Sequence, residues 1–169
     1  MTSPRVSRAL LRGIAAGLLG LVVYAVVPLP AGPLGLQDAL MLVGGVTVFA
    51  GAIGIAVLRE RRASTVGDVD AEGARIEHVL AIVLWAIVFF ALMYARLGGV
   101  PGEFEGLVTR VDALYFTLTT LTTVGFGDVH ATGQTARVVV TVQLVFNVVV
   151  IAAAVRVLVS AVRRRAAPR

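Results

Sequence analysis

Four stretches of this 169-residue chain are apolar for about as long as the hydrocarbon core of a bilayer is thick, and no other feature restricts the fold as strongly. They are Gly13–Val27, Gln37–Leu58, His78–Leu97 and Val138–Val155, the last extendable to Ser160. Taken with the amphipathic residues before it, the first makes a helix of about 20 residues, and the second spans about 33 Å at helical rise. A backbone that crosses lipid must satisfy its own hydrogen bonds, and runs of this length do so as helices. With 58% hydrophobic residues, a soluble domain is excluded. The expectation is an all-α membrane protein with four transmembrane helices. A rival reading of the first block is a secretory signal peptide, with a basic start, an apolar middle and a small residue at Ala25. The length of the run and its pairing with a second block favour a retained helix.

Charge gives the orientation. All 15 basic residues are arginine, which reads as the codon bias of a GC-rich, bacterial genome. The net charge of +5 does not point to nucleic acid, because the arginines flank the apolar blocks. Placing both termini and the connector 59–77 in the cytoplasm leaves Arg96, Arg110 and Arg137 outside and the other 12 arginines inside, as the positive-inside rule requires. The expected location is therefore the bacterial plasma membrane. The connector reads as a solvated loop, and Asp38 as an interfacial carboxylate favoured by a helix N-terminus. With no cysteine, disulfides and thiol chemistry are excluded. His78 and His130 fall on opposite sides of the membrane and no nucleophile–base set is visible, so an enzyme is not expected.

Between the last two blocks lies Thr122-Thr123-Val124-Gly125-Phe126-Gly127-Asp128. Alternate glycines at 125 and 127 allow backbone angles closed to other residues. Hydroxyls precede them at Thr119, Thr120, Thr122 and Thr123, and Asp128 closes the run. Alternating special angles aim successive carbonyl oxygens the same way, which suits a dehydrated monovalent cation. An amphipathic run from Val111 to Leu121 leads in, with Thr109 and Asp112 placed to cap it.

This segment resembles the selectivity filter of potassium channels, with Phe126 where the aromatic is often Tyr. The resemblance extends back over Asp112–Leu121, which is similar to the family's pore helix, and in all covers Glu77–Ser160. It implies a re-entrant pore helix and filter loop in a homotetramer, each chain joined by three identical subunits and surrounded by lipid. On that plan residues 1–76 are an N-terminal two-helix hairpin with its connector, 77–162 the pore domain and 163–169 a short basic tail. K⁺ is implied as the permeant ion, with no cofactor. Its ligands would be the carbonyls of Thr123, Val124, Gly125 and Phe126 and the Thr123 hydroxyl, with Thr122 and Gly127 completing the filter. Asp128 and His130 would lie at the outer mouth, and Tyr115, Phe116 and Phe126 would form a cuff setting filter width. The chain departs from the pattern at Thr119, where some relatives carry an acidic partner, at Ala131 in place of a proline, and in lacking a glycine in the fourth block. A non-selective cation channel and a non-conducting regulatory subunit are the competing functions.

Gln143 and Asn147 are four apart, hence on one face of the fourth block. Polar groups in a spanning helix face a cavity or a partner helix. Both residues are expected to line a water-filled cavity, with an interhelical hydrogen bond as the alternative for Asn147.

Overall fold

A computed structural model describes residues 19–29, 32–63 and 70–166. Helical residues 19–26 form α1, followed by α2 (Leu36–Ala63), α3 (Asp70–Gly98), strand β1 (Phe104–Glu105), α4 (Arg110–Leu121), strand β2 (His130–Ala131) and α5 (Gln134–Ala166). Among the described residues two helices are long and apolar enough to cross a bilayer, Leu80–Gly98 in α3 and Gln134–Ala152 in α5. The apolar part of α2, Leu36–Val48, is shorter. The start of the first block and the three arginines that precede it, Arg5, Arg8 and Arg12, lie outside the described residues.

The connector between α2 and α3 differs from the expected loop. Residues 59–63 continue α2 and residues 70–77 open α3. Arginine, glutamate and alanine are good helix formers, so both helices run on past their apolar segments. In the same way α5 carries through Arg163, Arg164 and Arg165 to Ala166.

α3 is the central element, touched by α2, α4 and α5. Lipid tails are as apolar as leucine, so packing rather than water exclusion holds such helices together. Much of it is aromatic. Tyr94, Phe104 and Phe116 meet edge to face, with centroids 4.9 to 5.6 Å apart. Each such pair is worth about 0.5–1.5 kcal/mol beyond area burial. Phe90 stacks on Tyr94 and leans on Phe146, which brings α5 onto the same cluster. α2 approaches α3 at Gly45, where any side chain would collide with the ring of Phe89.

Three groups of polar bonds fix the ends of these helices. Arg96, only 7% exposed, pairs with Asp38 through Nε at 3.0 Å and Nη2 at 3.3 Å. The same Nη2 donates to the carbonyls of Gly32 and Pro33. Asp38 also accepts from the amide of Gly35 just before α2, so it does cap that helix, while its main partner is an arginine 58 residues away. Arg110 ties α4 to the end of α1. The third group stitches the chain before α4 to the chain after residues 122–128. Phe104 pairs with Ala131 and Glu105 with His130 in an antiparallel ladder. Glu103 accepts the amides of Thr132 and Gly133 on its carbonyl and that of Ala136, in the first turn of α5, on its carboxylate at 2.7 Å.

Candidate functional site

α4 starts where the sequence places it. Thr109 is the N-cap, and its hydroxyl accepts from the amide of Asp112 while the Asp112 carboxylate accepts from the amide of Thr109 at 2.7 Å. This reciprocal box uses two donors that a helix start otherwise leaves open. The bonds from Thr109, then that from the Val108 amide, hold the Asp112 carboxyl below the usual aspartate range.

The other end of α4 runs straight into the glycine-bearing segment. Thr122 closes the helix, and its amide and hydroxyl both donate to Leu118 O. Thr123 N–H reaches Thr120 O, while Val124 N–H and Gly125 N–H share Thr119 O at 2.9 and 3.2 Å. The first amides of the segment are thus drawn back under the last turn of α4, which leaves its carbonyls to face elsewhere.

The backbone then alternates. φ is +61° at Thr123, +54° at Gly125 and +83° at Gly127, while Val124 and Phe126 stay on the ordinary side of the map. Reversing the hand at every second residue turns successive peptide planes back on one another, so neighbouring carbonyls come to point toward one side. Glycine adopts such angles freely and threonine does so under strain. In a single chain the segment is open, with Val124 54% and Phe126 69% exposed.

The aromatic cuff divides. The ring of Tyr115 lies parallel to that of Phe126, 6.1 Å between centroids and 4° between planes. Phe116, expected beside them, is 8% exposed and turned to the opposite face of α4, against Tyr94 and Phe104. Adjacent helix positions are about 100° apart, so 115 and 116 cannot both face the segment. The Tyr115 hydroxyl donates to both carboxylate oxygens of Asp128, at 3.1 and 3.0 Å. Asp128 therefore has a partner behind the segment although Thr119 is not acidic. Thr119 instead bonds its own helix at Phe116 O. Burial, then the bond to Asp128, raises the Tyr115 hydroxyl above the usual tyrosine value. His130 stands 3.3 Å from Glu105 across the short ladder, with both side chains in the open.

Gln143 and Asn147 share a face, as their spacing requires, but that face is closed. They are 1% and 3% exposed, and their amides donate to Thr117 O and Thr120 O. Gln143 Oε1 accepts from the Tyr94 hydroxyl at 2.5 Å. Of the two outcomes open for Asn147 the structure has the interhelical bond, and Gln143 follows it rather than lining a cavity. The carbonyls near the end of α4 attract both amides more strongly than open space could. Asn147 Oδ1 is buried without a protein partner. The lattice of bonds linking α5, α4 and Asp128 was not legible from the spacing of polar residues, because each bond joins segments far apart in the chain.

The sequence model of a family described as ion channel matches residues 77–164, just over half of the chain. No curated protein matches it. No solved structure does either.

Proposed function

Because the chain belongs to the ion-channel family, we propose that it is a K⁺-selective channel whose filter is shared by four identical subunits. The observation that carries this reading is the alternation of positive φ at Thr123, Gly125 and Gly127, which lines up carbonyls on one side of the segment. Stripping water from K⁺ is costly, and a row of closely placed carbonyl oxygens replaces the lost ligands. The carbonyls of Thr123, Val124, Gly125 and Phe126, with the Thr123 hydroxyl, are the ligands. One such row cannot surround an ion, and four around an axis can. The exposure of Val124 and Phe126, together with Val111 and Leu118 on α4, supports assembly, since these apolar groups are only partly covered within one chain. Asp128, held by Tyr115, gives the mouth a fixed negative charge that gathers cations.

Orientation follows from charge, with the filter opening outside and both termini in the cytoplasm. The three arginines left on the filter side have separate work there. Arg96 and Arg110 hold the N-terminal hairpin, and Arg137 donates to Ala131 O.

The test is reversal potential in planar bilayers with K⁺ on one side and Na⁺ on the other. The expected value lies near the K⁺ equilibrium potential, and Gly125→Ala abolishes the current. A Cβ at Gly125 meets no atom within 4 Å in its own chain, so the loss comes from forcing an L-residue to φ +54°, about 1–2 kcal/mol in every subunit. A current indifferent to the K⁺/Na⁺ exchange, or none from the wild-type protein, rejects the proposal.

A further inference from the structure

Arg110 is the first residue of α4, and its guanidinium points away from the filter segment toward the end of α1. A helix ends with carbonyls that its own amides cannot reach. Arg110 supplies the donors: Nη1 to Tyr24 O and, at 3.3 Å, to Ala25 O, and Nη2 to Val27 O at 2.7 Å. Tyr24 answers by donating its hydroxyl to the Arg110 carbonyl. Its ring, on a residue only 7% exposed, lies 5.9 Å from the guanidinium carbon. The join is reciprocal, each side chain bonding the other residue's backbone. The first turn of α4 is thereby tied to α1 as well as packed on α3.

α4 is 12 residues long, about 18 Å. A helix so short is stiff, and its far end carries Thr122 and Thr123. A displacement at Arg110 therefore reaches the filter segment. The hairpin's other polar attachment differs in this respect. Arg96 grips Asp38, Gly32 and Pro33 from α3, which carries no part of that segment. Among the described residues a second grip is thus placed on the helix that leads into residues 122–127.

The geometry points to Arg110 as a positioning residue for conduction: through it and Tyr24, α1 sets the geometry of the filter. The inference rests on the proposed channel reading, and its test separates the two. Full-length wild-type protein, Tyr24→Phe, Arg110→Gln, Arg110→Lys and Asp38→Ala are reconstituted in K⁺. Amide hydrogen exchange is followed at residues 122–127 and, for reference, in α3 and α5, and single-channel records are taken in bilayers. Tyr24→Phe removes one hydroxyl and is the variant least able to disturb folding. It is expected to speed exchange in the filter about fivefold, the effect of one lost hydrogen bond, with α3 and α5 unchanged. Arg110→Gln has the larger effect, and Arg110→Lys restores part of it. Open probability falls while the current through each open channel is kept. Asp38→Ala lowers stability without selective loss in the filter. Equal exchange in wild type, Tyr24→Phe and Arg110→Gln overturns the inference, as does a rise shared evenly by α3 and α5. If the wild type passes no K⁺ current the channel reading fails, and the exchange comparison still decides the coupling.

Discussion

Replacing Asp38 by alanine removes the carboxylate from a guanidinium that is almost entirely enclosed. Arg96 is 7% exposed and the Asp38 side chain 13%, so neither charge is screened by much water. In the variant Arg96 keeps only the carbonyls of Gly32 and Pro33. Removing one partner of a buried pair costs about 3–5 kcal/mol, because a charge is left in a poor solvent. Replacing both members with apolar residues of like size is near neutral or stabilising. The exposed carbonyls of Gly32 and Pro33 can then turn to water. Asp38→Ala is therefore expected to lose about 3–5 kcal/mol, and Asp38→Leu combined with Arg96→Met much less, a strongly non-additive pattern. Denaturant titration in detergent micelles, followed by the fluorescence of the single tryptophan, Trp85, measures both. Single-variant losses under about 1 kcal/mol that add to the double within about 0.5 kcal/mol would refute the reasoning.

Tyr94→Phe should cost about 1–3 kcal/mol in the same titration, because Gln143 Oε1 is left without its donor at a site 1% exposed; a loss near zero contradicts this. The depressed pKa of Asp112 makes its cap fully effective above the ordinary aspartate value of about 3.9, and the effect fades as pH falls through the lower folded value. The stability gap between wild type and Asp112→Asn is thus expected to be constant from about pH 7 to 5 and to shrink below about pH 4, whereas widening on acidification reverses the sign argued here.

What could be read from sequence was what is local. Thr109 and Asp112 are three residues apart, and the cap they form needs nothing else. The alternation at Gly125 and Gly127 is likewise written in spacing, although Thr123 adopts a positive φ that its residue type gives no reason to expect. Periodicity put Gln143 and Asn147 on one face but could not say what that face meets, since their partners are 26 and 27 residues away. A helix-end role accounts for Asp38 from sequence alone, and its pairing with Arg96 joins residues 58 apart. The resemblance puts Phe116 in a cuff with Tyr115 and Phe126, whereas in the structure it belongs to the core. The ladder between β1 and β2 has two residues on each side, too few for any alternating pattern to show.

That ladder has a consequence for how copies of the chain meet. It closes a ring of about 24 residues containing α4 and residues 122–128, at an entropic cost of about 3 kcal/mol by the logarithmic law for loops. In a chain without cysteine the closure is made by hydrogen bonds, with the Glu103 carboxylate at the start of α5 among them, so a reducing compartment has no hold on it. The bonds that order that ring all lie within one chain. Association is then the docking of ordered surfaces, and its rate should follow encounter between chains rather than the folding of a loop.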